Sequence, residues 1–176
     1  MSSNTKKEIR DWIIAIALAV IAALSLRMFV FEFVRVEQES MYPTLKEEQK
    51  LFINKTSYWF SDLQRYDIVT FEYEPGVVYV KRVIAKGGEK IRIQDNTVYI
   101  NGKALSEPYL QPDLEYTDYP ETTIPEGYYF LMGDNRPYSK DSRSDEVGFI
   151  AKDRIIGRAL FRLSPFTKFN ERNISQ

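Results

Sequence analysis

A serine at position 40 lies in the stretch Glu39-Ser40-Met41-Tyr42-Pro43-Thr44-Leu45, in a chain of 176 residues that contains no histidine and no cysteine. A serine hydroxyl is a weak nucleophile until a base takes its proton. The usual base is histidine, and here the choice narrows to a lysine, a carboxylate or the N-terminal amine. One lysine stands out: Lys81, inside Val77-Val78-Tyr79-Val80-Lys81-Arg82-Val83-Ile84. Without His or Cys a zinc centre and a thiolate site drop out of consideration, and no metal or cofactor is expected.

Alternation along a strand puts Lys81 on one face with Val77, Tyr79 and Val83, and Val78, Val80, Arg82 and Ile84 on the other. Both faces are largely apolar, which predicts a strand buried on both sides. An amine buried there loses hydration and its pKa falls, and a neutral amine is what a general base requires. The plainer reading is an edge-strand lysine whose head reaches water. Ser40 alone also has a plain reading, as a turn serine or helix cap. The two residues gain weight as a pair, because Ser40 needs a base and lysine is the conspicuous supplier.

The elements that would position them begin with an apolar run, Trp12 to Leu26, about 22 Å of helix at ~1.5 Å per residue and short of the roughly 20 residues a bilayer asks for. Hydrophobicity resumes after Arg27 with Met28-Phe29-Val30-Phe31, and Arg27 near a helix end can snorkel. One spanning helix from about Asp11 to Phe31 is expected, within an anchor segment of residues 11–33. Lys6, Lys7 and Arg10 precede it, which predicts a cytoplasmic N-terminus, residues 1–10, and an outside location for residues 34–176. A cleaved secretory leader is the competing reading, with small-x-small Ala23-Leu24-Ser25 as its best feature. The resumed hydrophobicity after Arg27 argues against it.

Residues 34–176 read as short β runs broken by turn residues. Asp67–Tyr73, Val77–Ile84, Lys90–Ile93, Thr97–Ile100, Tyr128–Met132 and Ile155–Leu163 are strand-like, with turns at Glu74-Pro75-Gly76, Asp95-Asn96 and Asn101-Gly102. Residues 108–125 are rich in Pro, Tyr and acids and read as a long loop or small extension. Gly133 to Val147 is a polar loop, and the tail from Ser164 is polar. At 44% hydrophobic residues the chain is not disordered, and its net charge of −1, with no basic stripe, argues against a nucleic-acid partner. The expected class is mainly β behind one N-terminal transmembrane helix.

With these residues in view the chain resembles the type I signal peptidases, membrane-bound serine proteases that remove signal peptides from exported proteins. Four blocks carry the resemblance, in the family's order: Ser40-Met41-Tyr42-Pro43-Thr44-Leu45; Arg65-Tyr66-Asp67-Ile68-Val69; Tyr79-Val80-Lys81-Arg82-Val83-Ile84; and Gly133-Asp134-Asn135-Arg136 through Ser139-Lys140-Asp141-Ser142-Arg143. The resemblance covers nearly the whole chain, from the anchor to about Leu163, and one anchor with a short 108–125 segment looks like the compact Gram-positive forms. The resemblance implies a twisted antiparallel sheet, a bacterial plasma-membrane location, signal peptides of exported preproteins and the lipid bilayer as partners, and a Ser40–Lys81 dyad. It implies that Ser139 hydrogen-bonds and orients the Lys81 amine, and that Asp141, Arg143 and Arg82 form a salt-bridged support. It implies that Val36, Met41, Leu45, Tyr79 and Val80 line small apolar pockets that admit Ala one and three residues before the cut.

Three departures stand out. Tyr66 occupies a position usually held by Gly. Gln38 replaces a small residue, Ser or Gly, whose hydroxyl in the Ser forms helps bind the oxyanion; Gln38 is the candidate there, either donating its amide N–H to the oxyanion or pointing away. Ala85-Lys86-Gly87-Gly88 follows the lysine block where a Gly and a Pro are common. Tyr58-Trp59-Phe60 suits either a membrane-interface patch or core packing. Two other classes compete: a Ser-Lys self-cleaving regulator of the repressor type, which would need a DNA-binding domain and no anchor, and a non-catalytic membrane-tethered binding protein.

Overall fold

The computed structural model describes residues 3–56 and 62–169. The Tyr58-Trp59-Phe60 triplet, the Arg27 side chain and the end of the tail lie outside the described residues. Helix α1, Ser3–Phe29, opens the chain. Its apolar portion, Lys7–Leu26, is 20 residues with nothing else in the structure burying it. At ~1.5 Å per residue that is about 30 Å, the thickness of a bilayer's hydrocarbon core.

The helix ends before the expected boundary. Phe31–Arg35 is a strand, β1, paired antiparallel with β2, Lys50–Asn54. Of the apolar residues beyond Arg27, Met28 and Phe29 still belong to α1, and Phe31 begins a sheet-edge strand. Alternation explains it: Phe31, Phe33 and Arg35 take one side, and Glu32 turns to an ion pair with Lys55 at 3.1 Å.

The main sheet has eight antiparallel strands. It contains β1 and β2, then β3 (Ile68–Glu74) and β4 (Val77–Lys86), which form a hairpin over Pro75-Gly76. A smaller four-stranded sheet holds β5 (Lys90–Gln94), β6 (Thr97–Ile100), β7 (Lys103–Ala104) and β8 (Tyr119–Thr123). Strand β8 lies within residues 108–125, so that segment is not all loop; it completes the small sheet against β5. The main sheet resumes with β9 (Tyr128–Met132), β10 (Ile150–Ala151), β11 (Ile155–Leu163) and β12 (Phe166–Lys168). The order is β1-β2-β11-β3-β4-β9-β10, with β12 added to β11. The hairpin to β12 was hidden by Ser164 and Pro165, which read as the start of a polar tail.

Three apolar clusters hold these layers. Val69, Phe71, Val83, Leu131 and Ile150 fill one face of β3, β4 and β9. Ile84, Ile91, Val98, Phe130 and Met132 join the other face to the small sheet. Val36, Met41, Leu45, Leu51, Ile53 and Ile68 pack the Ser40 turn onto β2 and β3. Phe71, Phe130 and Leu45 are fully buried, each worth about 1.5–3 kcal/mol of transfer free energy before entropy is charged against it.

Candidate active site

Ser40 sits in a single 3₁₀ turn, Glu39–Met41, at the end of the β1 segment. The turn is tied down by burial on its flanks. Met41 and Leu45 are 1% and 0% exposed, and Leu45 N–H donates to Met41 O at 2.8 Å. Lys81 arrives from β4, opposite Val69 of β3. Its Nζ is 2.7 Å from Ser40 Oγ and 5.1 Å from the centroid of the Tyr79 ring. At 1% exposure the amine has lost its water. Burial is the largest influence and pulls its pKa from 10.5 down to about 8; Asp141 and Asp134 push the other way, and Arg143 lowers it. A neutral amine accepts the hydroxyl proton, whereas a charged one only donates to it.

The two carboxylates that most affect Lys81 do not touch it; each is already engaged. Asp141 accepts from Gly133 N–H (3.0 Å) and from Arg143 Nε (2.8 Å) and an Arg143 terminal nitrogen (2.9 Å). Arg143 also donates to Arg136 O at 2.7 Å. Asp141 and Arg143 are thus ion-paired beside Gly133. Arg82 is not part of that pairing. Its side chain leaves the opposite face of β4 and forms a two-pronged pair with Asp134, at 2.8 and 2.6 Å. It adds Tyr66 O at 3.1 Å and lies 3.9 Å from the Tyr109 ring centroid. Strand alternation explains the correction, since residues 81 and 82 cannot face the same way.

Ser139 also differs from expectation. Its Oγ is buried and has no hydrogen-bond partner, so it makes none with Lys81. Gly133 is wedged between the two serines: a Cβ at 133 would collide with both Ser139 Oγ and Ser40 O. Lys81 Nζ turns to Ser40 instead.

A groove of about 410 Å³ opens at the dyad, between β1 and the first half of β4. Val36, Met41, Tyr79 and Val80 line it, as does Gln38. Leu45 does not; its i→i−4 bond folds it behind the turn into the core. The Gln38 side chain is exposed and caps nothing in the Ser40 turn. Tyr66 has φ +75°, a left-handed conformation that suits glycine. Its hydroxyl donates to Ser106 O at 2.9 Å, and its ring meets Tyr109 edge-on.

Sequence reasoning passed over several residues here. Thr44 donates to Asp134 at 2.5 Å. Arg136, 1% exposed, pairs with Glu107 and donates to Gly133 O at 3.1 Å and to Tyr116 Oη at 3.1 Å. Glu107, Tyr109 and Tyr116 come from the segment leading into β8. An unpatterned stretch, Glu107 to Tyr116, carrying three acids and two tyrosines was the available signal.

A 3₁₀ turn presents a serine hydroxyl to a buried lysine amine beside an open groove, an arrangement in which the amine can take the hydroxyl proton. A family described as signal peptidase, peptidase S26, matches residues 9–164. Signal peptidase I T of Bacillus subtilis (strain 168) is 41% identical, covering 97% of this chain and 96% of that one. Signal peptidase IB of Staphylococcus aureus (strain COL) is 36% identical, covering 93% and 94%. A solved signal peptidase I from Enterococcus faecalis V583 is 34% identical, covering 56% of this chain and 97% of that one, with a TM-score of 0.46. The chain belongs to the signal peptidase family, peptidase S26, and is an enzyme of the signal peptidase I kind that cleaves signal peptides from preproteins.

Proposed function

We propose that this enzyme is a membrane-anchored serine endopeptidase that uses Ser40 as nucleophile and Lys81 as general base, and cuts after small residues in signal peptides. The 2.7 Å contact between a buried amine and a serine hydroxyl carries the reading. Ser40 Oγ attacks the carbonyl of the residue before the scissile bond while neutral Lys81 takes its proton. The Ser40 N–H stabilises the oxyanion; one such donor typically contributes about 3–4 kcal/mol. Protonated Lys81 then gives its proton to the leaving amine, the C–N bond breaks, and an acyl ester remains on Ser40. Lys81 next takes a proton from water, whose oxygen attacks the ester; the Oγ–C bond breaks, Lys81 returns the proton to Ser40 Oγ, and the acid product departs. Gln38 borders the groove beside Ser40 and is the candidate for a second oxyanion donor.

The substrate enters as an added strand. Strand β9 pairs with β4 from Arg82 onward, which leaves Val77–Val80 open on the groove side. Main-chain bonds there bind without reading sequence. Val36, Met41, Tyr79 and Val80 make the walls apolar and close, which favours Ala one and three residues before the cut. The anchor is α1, with its N-terminus cytoplasmic by the basic flank and the groove outside. Phe31, Phe52, Phe161 and Phe166 form a continuous row from the end of α1 across the sheet, a surface suited to the bilayer interface. Cleavage of an exported precursor by wild type, Ser40→Ala and Lys81→Ala tests the dyad. Both variants are expected to be inactive; full activity in either one refutes it.

A further inference from the structure

Asn135 directly precedes the 3₁₀ turn Arg136–Tyr138 and is its N-cap, yet its side chain makes no bond to that turn. Asparagine is favoured at such a position because it caps locally. Here the side chain forgoes the cap and crosses to a residue 96 positions away: Asn135 Nδ2 donates to Glu39 O at 3.1 Å. The Asn135 backbone N–H donates to Ser40 O at 3.0 Å. One residue, 8% exposed, thus grips the carbonyls of both Glu39 and Ser40.

The Glu39 carbonyl and the Ser40 N–H belong to one planar trans peptide unit, so they point in opposite directions. Fixing the first fixes the second. The Tyr42 N–H also donates to Glu39 O, at 3.0 Å, but it lies inside the same short turn and moves with it. Asn135 is the external hold. It stands on the loop whose Gly133 is braced by Asp141 and Arg136, and so ties the Ser40 turn to the lysine's support.

We infer that Asn135 is a positioning residue that aims the Ser40 N–H at the developing oxyanion. The inference rests on the reading of Ser40 as nucleophile. The test compares wild type with Asn135→Ala, Asn135→Leu and Asn135→Ser on a signal-peptide substrate. Each variant loses the Nδ2 donor; serine's hydroxyl is too short to replace it. The expected result is kcat lower by about 10- to 100-fold, a loss set below that for removing a whole oxyanion donor, about 10²–10³-fold. KM should stay within about two-fold, and the ascending pH limb should not move, because no group touching Lys81 changes. A peptide boronic acid, whose tetrahedral adduct on serine resembles the oxyanion, should bind weaker by the same factor as kcat. An uncleavable peptide should bind as before.

Loss of the hold through misfolding would lower the melting temperature and weaken both probes alike, and that outcome overturns the inference. So does activity within about three-fold of wild type in any folded variant, or boronate affinity unchanged while kcat falls. If Ser40→Ala stays active, the nucleophile reading itself fails. If Ser40→Ala is dead and the Asn135 variants are fully active, only this inference falls.

Discussion

The two halves of β4 are one strand in sequence and two environments in space. Val77 and Val78 are exposed and Tyr79 and Val80 half-buried, whereas Lys81 through Ala85 are all buried. Strand β3 pairs with β4 from Val77 to Arg82, whereas β9 joins only from Arg82 onward. A substrate strand needs an unpaired edge, and a neutral lysine needs to be shut away from water. The change from open to covered falls at Lys81, so it borders the groove while its amine stays dry. Uniform burial on both sides, as the apolar run from Val77 to Ile84 suggests, would have left no edge for a peptide.

Lys81→Met tests the covered half most severely. Activity should fall by more than about 10³-fold with the base gone, while stability at pH 7 should rise. The Lys81 pKa drops on folding from 10.5 to about 8. Below pH 8 both states hold the proton and the burial penalty is complete, up to about 3 kcal/mol. Between pH 8 and 10.5 the native state releases its proton first, so wild-type stability rises and its gap to the variant narrows. The activity of wild type should rise through pH 8 for the same reason. A less stable Lys81→Met at pH 7, or an ascending limb near pH 10, would contradict a desolvated base.

Gly133→Ala is next in size. The new methyl meets Ser139 Oγ and Ser40 O, and Gly133 is braced at its N–H and C=O, so the Ser40 turn must yield. Displacement on the order of 1 Å costs about 100-fold in rate, and that is the loss expected in kcat.

The two halves can then be set against each other directly. Ile84→Ala, in the covered half, should lower stability by about 2–5 kcal/mol and leave the choice of cleavage site unchanged. Val80→Phe, in the open half, should cut kcat/KM for sites with Ala by about 10-fold or more with little change in melting temperature. The reverse pattern would erase the division. The smallest effect belongs to Tyr66→Gly. It relieves a left-handed backbone costing about 1–2 kcal/mol, and it loses a ring contact and the Ser106 hydrogen bond, of similar total size. Stability within about 1 kcal/mol of wild type is expected by thermal unfolding.

Much of this was legible beforehand. The strands β3, β4, β5, β6, β9 and β11 follow from alternation and turn residues, and the apolar helix from its composition. What escaped has physical causes. The apolar stretch Met28–Phe31 looks alike whether it continues a helix or begins a strand, and only pairing with β2 decides it. Strand β8, Tyr119–Thr123, contains a proline and few apolar residues, and exists because β5 offers an edge. The Asp134–Arg82 pair and Asn135's reach to Glu39 join residues 52 and 96 positions apart, and local pattern carries no information at that separation.

By itself, the sequence determined the chemistry available: a serine, no histidine or cysteine, a lysine in an apolar strand, and a membrane-length apolar helix. These are matters of composition and short-range periodicity. Tertiary structure alone decided which charges brace which backbone. It turned Arg82 away from Asp141, left the Ser139 hydroxyl without a hydrogen-bond partner and buried Leu45 behind the groove. It also set the residue at which β4 passes from open edge to covered core. Those outcomes depend on the meeting of strands distant in the chain, because desolvation and hydrogen-bond geometry are properties of a packed site.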